Sequence, residues 1–438
     1  MCIKKRKFYP DSKNIPIYKH YDIVVCGAGP AGICAAVAAA RAGAKVALLE
    51  RYGAVGGCLT LGYVAPVAGM VGKGTMRQEV CDLLGVGDND AYAWKGYCHD
   101  MQKAKTVLTE FVDHENIDVY LQTMVADAWM DGDTIRGVVI STKEGLKIIS
   151  GSVVIDATGD GDVAEFAGCI IEKGREDGLM QPVTLEFLVD NVEEDGIICI
   201  GDISDVQLHG KRFLDWCKEQ SEKGLIPKNA AAVRMCPTVN KGERHFNTTQ
   251  VNGIDSTKVE DLFKAELELR RQIDTLVDFF QKYLPGYENC KYTGSGTTLG
   301  VRESRRVVGE YYITAEELVV GKRFEDVIVH KAEFLVDIHN PTGPGQAEKK
   351  IQYCEPYDLP YGCFVPKKVD GLFTAGRCIS GTHRAHASYR VMSICMAMGQ
   401  AVGVAAAMCA QQGCTPRQLN VKDLQKELTA LGIELFDE

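Results

Sequence analysis

Three glycines, one carboxylate and two groups of basic side chains are the residues of this 438-residue chain whose types and spacing suit chemistry. Gly27, Gly29 and Gly32 form a G-x-G-x-x-G set in GAGPAG, with Ala28, Pro30 and Ala31 between them. Such a turn holds the diphosphate of a dinucleotide. The first glycine makes the turn, the second lets backbone approach the phosphates, and the third lets a helix pack closely on the strand. Glu50 follows eighteen positions after Gly32, where a carboxylate accepts bonds from a ribose hydroxyl. Further on, His383 and His386 have the side chain that serves as general acid or base near neutral pH. Arg302, in GVRESRR, offers a guanidinium that grips a carboxylate with two parallel bonds. Its neighbours Arg305 and Arg306 have Glu303 and Glu310 close enough for ion pairs. His339, in DIHNPTGPG, either faces a cleft or is solvated as a loop histidine.

The glycines need a strand before them and a helix after them, and the sequence supplies both. Tyr21 to Cys26 is apolar, residues 30 to 42 are rich in alanine, and KVALLE ends on Glu50. The helix start adds free N–H groups and a positive dipole end for the phosphates. A helix is expected from about Met101 to His114, then strands over 119–130, 134–142 and 146–158, separated by turns at Asp131–Asp133 and Lys143–Gly145. Between about Ile170 and Pro356 apolar alternation mixes with a long charged helix over 256–284, read as a solvated face. Near Asp370 a strand, GLFTAG, returns, followed by a long run of small residues. The expected fold is α/β: a discontinuous Rossmann-like dinucleotide domain (parallel sheet plus β-meander) with an inserted α+β substrate domain. The boundaries are an arm over 1–20, the dinucleotide domain over 21–169 and 357–438, and the insertion over 170–356.

Composition narrows the partners. A hydrophobic share of 46% with 25% charged residues is that of a globular protein. A net charge of −10 argues against nucleic acid, tRNA included, and against an anionic membrane. Val391 to Ala410 is long enough to span a bilayer, but its glycines, Ser393 and Gln400 read as a buried helix, so no membrane span is expected. Seventeen cysteines with no C-x-x-C give no zinc or iron–sulfur ligand set, and no metal is expected. Free thiols in that number fit a reducing cytoplasm.

Four blocks together resemble the FAD-dependent oxidoreductases of the glutathione reductase and fumarate reductase superfamily. They are GAGPAG with ERYGAVGG, the DATGDGD block, GVRESRRVVGEYYIT, and LPYGCFVPKKVDGLFTAGRCISGTHRAHASYRVMSICMAMGQAVG. The resemblance runs from Tyr21 to about Gly413 and implies FAD as cofactor. It assigns Arg51, Gly56, Gly57 and Cys58 to the continuation of the second strand, and Ala157, Thr158 and Gly159 to the strand beside the adenosine. Val125 would make a backbone contact to adenine. Gly376 and Arg377 would lie on the ribityl–phosphate side, and Arg390 and Val391 at the helix start under the ring. Arg377 stands where the disulfide reductases carry an acid. The same block places His383, Arg384, His386, Ser388 and Tyr389 beside the ring, which makes His383, His386, Arg302, Arg384 and Tyr389 the expected catalytic set.

Two departures separate the chain from the disulfide reductases. They follow the double glycine with a C-x-x-x-x-C pair, whereas here Cys58 is followed five positions later by Tyr63. Cys58 is then either a thiol beside the flavin or a packing residue. G-x-G-x-x-G also occurs only once, so no second unit for a nicotinamide dinucleotide is expected and electrons arrive from an external donor or leave to an acceptor. The expected activity is hydride transfer between a small organic substrate and flavin N5. A fumarate-reductase-like alkene reductase and a flavin subunit of a larger electron-transfer complex stay open beside it, as does assembly into a homo-oligomer.

Overall fold

A computed structural model describes residues 15–86, 98–201, 204–348 and 351–437. Most of the expected arm, residues 1–14, lies outside them. The first strand, β1 (Ile17–Cys26), starts four residues before Tyr21, because Ile17 to His20 pair in parallel with a later strand. Its second half is apolar on both faces, as a central parallel strand requires. The chain turns into α1 (Pro30–Arg41) and returns as β2 (Val46–Leu49), parallel to β1. After a helix over Met101–Val112 come β3 (Ile117–Tyr120), β4 (Met124–Asp131), β5 (Thr134–Thr142) and β6 (Gly145–Asp156). The sheet runs β3-β2-β1-β6-β5-β4. The pairs among β3, β2, β1 and β6 are parallel, and β4-β5-β6 is an antiparallel meander.

The insertion carries its own sheet of β7 (Phe187–Asp190), β8 (Met235–Pro237), β9 (Arg244–Phe246) and β10 (Lys291–Ser295). Its order is β8-β9-β7-β10, antiparallel throughout. The helix α2 (Val259–Tyr283) lies against it. Expected to be a solvated face, α2 instead buries a stripe of Ala265, Leu269, Ile273, Leu276 and Phe280. The i, i+3 and i, i+4 spacing brings them onto one side, where Phe280 stacks on Phe246 and Phe246 on Phe187. This second core draws on residues between Val183 and Val301, while apolar residues from Ile313 to Cys354 pack into the first core.

The chain then re-enters the first sheet as β11 (Leu372–Thr374), parallel to the last three residues of β6. A short helix α3 (His383–Tyr389) leads into the long α4 (Met392–Gln412). Among the described residues α4 is the one helix long and apolar enough to cross a membrane, and it is almost wholly buried. Its glycines explain where it sits. A Cβ on Gly399 would lie 2.0 Å from Ala31 O, and one on Gly403 2.3 Å from Ala35 O. The two helices therefore touch backbone to backbone and run in the same direction. Aligning Gly399 with Ala31 starts α4 about 9 Å before α1, at 1.5 Å per residue. Two helix N-termini thus face the same side of the molecule, one set ahead of the other.

Candidate functional site

At the first N-terminus each glycine meets a different constraint. Gly27 has φ +95°, and a Cβ there would sit 2.5 Å from Ala157 O. A Cβ on Gly32 would lie 1.8 Å from Gly27 O, so only hydrogen lets α1 close on the turn. A Cβ on Gly29 would meet nothing within 4 Å. The space above Gly29 is open, and α1 begins there with Pro30 at its first turn, no side-chain cap and no acid. Its first N–H groups therefore open onto space that an anion could fill. Ala31 is buried beneath, against Gly376 and Gly399. The Glu50 carboxylate is buried and fixed from both sides, accepting from Ala28 N at 2.8 Å and Tyr52 N at 2.9 Å. Each oxygen keeps a second lone pair for a ligand hydroxyl. Gly56 N donates to Ala28 O at 2.7 Å, and a Cβ on Gly57 would come 2.9 Å from Gly29 Cα. Thr123 N donates to Glu50 O, which sets the start of β4, with buried Val125, beside the acid.

Next to this cradle lies a buried acid–arginine knot. Ala157 N is tied to Cys26 O, and Thr158 Oγ1 donates to Asp156 at 2.7 Å. Burial pushes the Asp156 carboxyl up to about 6. Gly159 (φ +75°) gives the room that Arg377 needs: a Cβ there would lie 2.9 Å from its Nη1. Arg377, following Gly376 (φ +87°), donates to Asp160, which also accepts from Ser304 at 2.7 Å and faces Arg51 at 3.6 Å. Burial works against the charge on Asp160, but Arg377 and Arg51 outweigh it and hold the carboxyl below its ordinary range. Arg377 Nε is buried with no protein partner among the described residues. Asp160 belongs to the quoted DATGDGD block, yet nothing local in the sequence singled it out; its partner lies more than two hundred residues on.

The second N-terminus, at Val391, is also uncapped and without an acid in its first turn. Arg390, just before it, donates to Asp337 Oδ2 at 2.9 Å and to Asp337 O at 3.1 Å. The other residues expected in this block part company. His383 Nδ1 is 2.8 Å from Glu303 Oε1, which also accepts from Arg306 at 2.5 Å. Arg384 is held by Glu348 and Glu316 in a separate surface cleft. Tyr389 is fully buried and its hydroxyl donates to Ile379 O at 3.0 Å. His386 is fully buried with neither ring nitrogen partnered among the described residues, and burial followed by the charge of Arg306 holds it neutral. Cys58 is half-buried, its thiol raised by burial against the pull of Arg377.

A cavity of about 120 Å³ opens between the two cores. By the same measure one water needs about 10–15 Å³, so a small organic molecule fits. Arg234, Cys236, His245, Asn247, Asp337 and His339 reach its wall, with Phe334, Leu335 and Ile351 on the apolar side. His245 Nε2 is 2.6 Å from Glu186 Oε2, both buried. Burial lowers His245, but the Glu186 carboxylate outweighs it and raises the imidazole. His339 is buried rather than solvated, with Nε2 3.4 Å from Asp337 and Nδ1 unpartnered among the described residues. Burial, then the charge of Arg302, bring it down to about 3. Arg302 stands behind the wall, donating to Asn247 Oδ1 at 2.8 Å and Pro182 O at 3.0 Å. Burial, then Arg390, lower its guanidinium to about 9. Of this group the sequence pointed only to Arg302 and His339. Arg234, His245, Asn247 and Glu186 carry no local signature.

The family model described as FAD dependent oxidoreductase matches residues 22–428. The chain is 30% identical over 155 residues to a soluble pyridine nucleotide transhydrogenase of Marinomonas sp., covering 32% of this chain and 31% of that protein. It is 33% identical over 146 residues to a thiamine thiazole synthase of Desulfosudis oleivorans, covering 32% and 55% respectively. The chain thus matches about a third to a half of these relatives' length. A geranylgeranyl bacteriochlorophyll reductase-like structure from Thermoplasma acidophilum superposes with TM-score 0.48 at 12% identity, covering 94% of this chain and 84% of that one.

Proposed function

The chain belongs to the FAD-dependent oxidoreductase family, and from that premise we propose that it oxidises or reduces a small organic anion in the cavity between its two cores. The described residues suit the cofactor: an open approach over Gly29, two uncapped helix N-termini on one face, and the unpartnered Nε of Arg377. Gly27, Gly29, Gly32 and the first turn of α1 hold the diphosphate, with Arg51, Gly56 and Gly57 beside it. Glu50 binds a ribose hydroxyl, Val125 flanks the adenine, and Thr158 and Gly159 line the same side. Gly376, Arg377 and Asp160 serve the ribityl chain, and Arg390 and Val391 the ring end. FAD held there would supply hydride-transfer chemistry at its N5.

The observation that carries the substrate reading is the convergence of Arg234, His339 and the Arg302–Asn247 pair on one cavity whose wall is continuous, through Asp337, with Arg390. Arg234 and Asn247 bind the anionic group, and Arg302 reinforces Asn247 from behind. The apolar wall excludes water. His339, rather than His383 or His386, exchanges the proton at Nδ1, with Asp337 orienting the ring through Nε2. A bound anion offsets the Arg302 charge, the second of the two influences that lower His339 after burial. The uniformly antiparallel sheet of the insertion supports exchange of electrons with an external small molecule or carrier rather than with a second dinucleotide domain. The thiol-rich composition supports a cytoplasmic setting.

Anaerobic titration of flavin absorbance with a panel of hydroxy, amino and unsaturated carboxylic acids tests this. One class should change the spectrum. Arg234→Ala should raise the concentration needed, and His339→Ala should slow the change without raising it. Equal titration by wild type and both variants overturns the assignment.

A further inference from the structure

The cavity wall holds a group that hydride transfer does not use. Cys236 Sγ lies 3.2 Å from Cys98 Sγ and 3.4 Å from His245 Nδ1, and His245 Nε2 lies 2.6 Å from Glu186. Cys236 and His245 are cross-strand partners on β8 and β9, so the contact is built into the sheet register. Cys98 comes from the other body: its backbone bridges Pro66, and the adjacent His99 is tied to Leu59 O at 2.7 Å. Nucleophile, base and orienting carboxylate stand in line, the arrangement that activates a thiol. A second thiol waits within reach of the first. Cys236 reaches the cavity wall, and Cys98 is buried behind it.

We propose that Cys236 and Cys98 form a peroxide-reactive dithiol centre, with His245 as base and Glu186 as its positioning residue. His245 Nδ1 takes the Cys236 proton. The Cys236 sulfur attacks one oxygen of hydrogen peroxide, breaking the O–O bond to give a sulfenic acid and, after protonation, water. Cys98 then attacks that sulfur, forming the disulfide and releasing a second water. Two thiols supply the two electrons and peroxide accepts them; an external thiol returns the pair to the reduced state by exchange. The sulfurs must close from 3.2 Å to about 2.05 Å, a movement of about an ångström. Either sulfur can donate in the contact between them; with Cys98 donating, the bond supports a thiolate on Cys236 and opposes ionisation of both thiols at once. The disulfide ties the insertion to the dinucleotide domain across the cavity wall.

The test is peptide mapping of the flavin-loaded protein, reduced, exposed to hydrogen peroxide, alkylated, then denatured and digested. Cys98 and Cys236 should leave the alkylated pool together, ahead of the other buried cysteines, and appear as one linked peptide. In Cys98→Ser a dimedone-trapped sulfenic acid should remain on Cys236, while flavin reduction by substrate is unchanged. His245→Gln should slow disulfide formation at least about tenfold. Oxidation of the pair no faster than of other buried thiols, linkage to other cysteines, or an unchanged rate in His245→Gln overturns the proposal. The mapping needs no substrate, so its failure is distinct from failure of the reading above.

Discussion

Replacing Gly29 by alanine should separate folding from cofactor binding. The residue has φ −73° and ψ −174°, an extended conformation open to any L-residue. The added methyl meets no protein atom within 4 Å. The apoprotein should therefore lose nothing, and restricting the unfolded chain should stabilise it by about 0.4–1 kcal/mol. The same methyl occupies the approach of the diphosphate. A cost like that of one overpacked methylene, about 1–3 kcal/mol, weakens FAD about 5- to 150-fold. Gly32→Ala is the contrast: its methyl would sit 1.8 Å from Gly27 O, well inside contact, and α1 cannot retreat because Gly399 and Gly403 already press on it. That variant should lose more than about 3 kcal/mol as apoprotein. The assay is denaturant unfolding of the apoproteins, followed by FAD titration monitored by fluorescence quenching. Wild-type FAD affinity in Gly29→Ala refutes the diphosphate placement. Destabilisation of its apoprotein by more than about 1 kcal/mol refutes the open-space argument.

Three further outcomes follow from the same geometry. Gly403→Ala should lower the melting temperature and the flavin content together, since its methyl meets Ala35 O at 2.3 Å; a wild-type melting curve contradicts the close helix contact. Arg302 has its guanidinium lowered to about 9, so its charge is present below that pH and lost above it. KM for an anionic substrate should rise as pH passes about 9, and Arg302→Lys should change that profile; a KM flat to pH 11 counts against the role. The lowered carboxyl of Asp160 stabilises the fold above the ordinary carboxylate range, and that stability is lost as pH falls through its folded value. Asp160→Asn should therefore flatten the acid limb of the stability curve as well as weaken FAD.

The dinucleotide cradle was legible because its parts are close in the chain. Strand, turn, helix and second strand occupy Tyr21 to Glu50, and the closest contacts at Gly27 and Gly32 lie within that unit or at Ala157 and Thr158, just after the adjoining β6. Local sterics decide such a motif, and local sterics are written in residue type. The directions of the side chains in the last block were not legible for the opposite reason. Charge and ring type are visible in HRAHASY, but the direction in which α3 presents each side chain depends on what packs against it. Tyr389 and His386 therefore turned inward, and Arg384 turned toward Glu348 and Glu316.

Taken alone, the sequence pointed to a dinucleotide turn at Gly27, Gly29 and Gly32 with Glu50 after it, to α4 as a buried helix of small residues, and to a strand near Asp370 that rejoins the first sheet. The cavity was decided only by tertiary structure. Glu186, Arg234, Cys236 and His245 come from three strands of the insertion or their edges, His339 from the loop that leads back, and Cys98 from the other body. Antiparallel register sets Cys236 opposite His245, and the packing of the two cores brings Cys98 and Asp337 to them. Pairings across such separations follow from which apolar faces bury one another, a property of the folded whole that no short stretch of residues encodes.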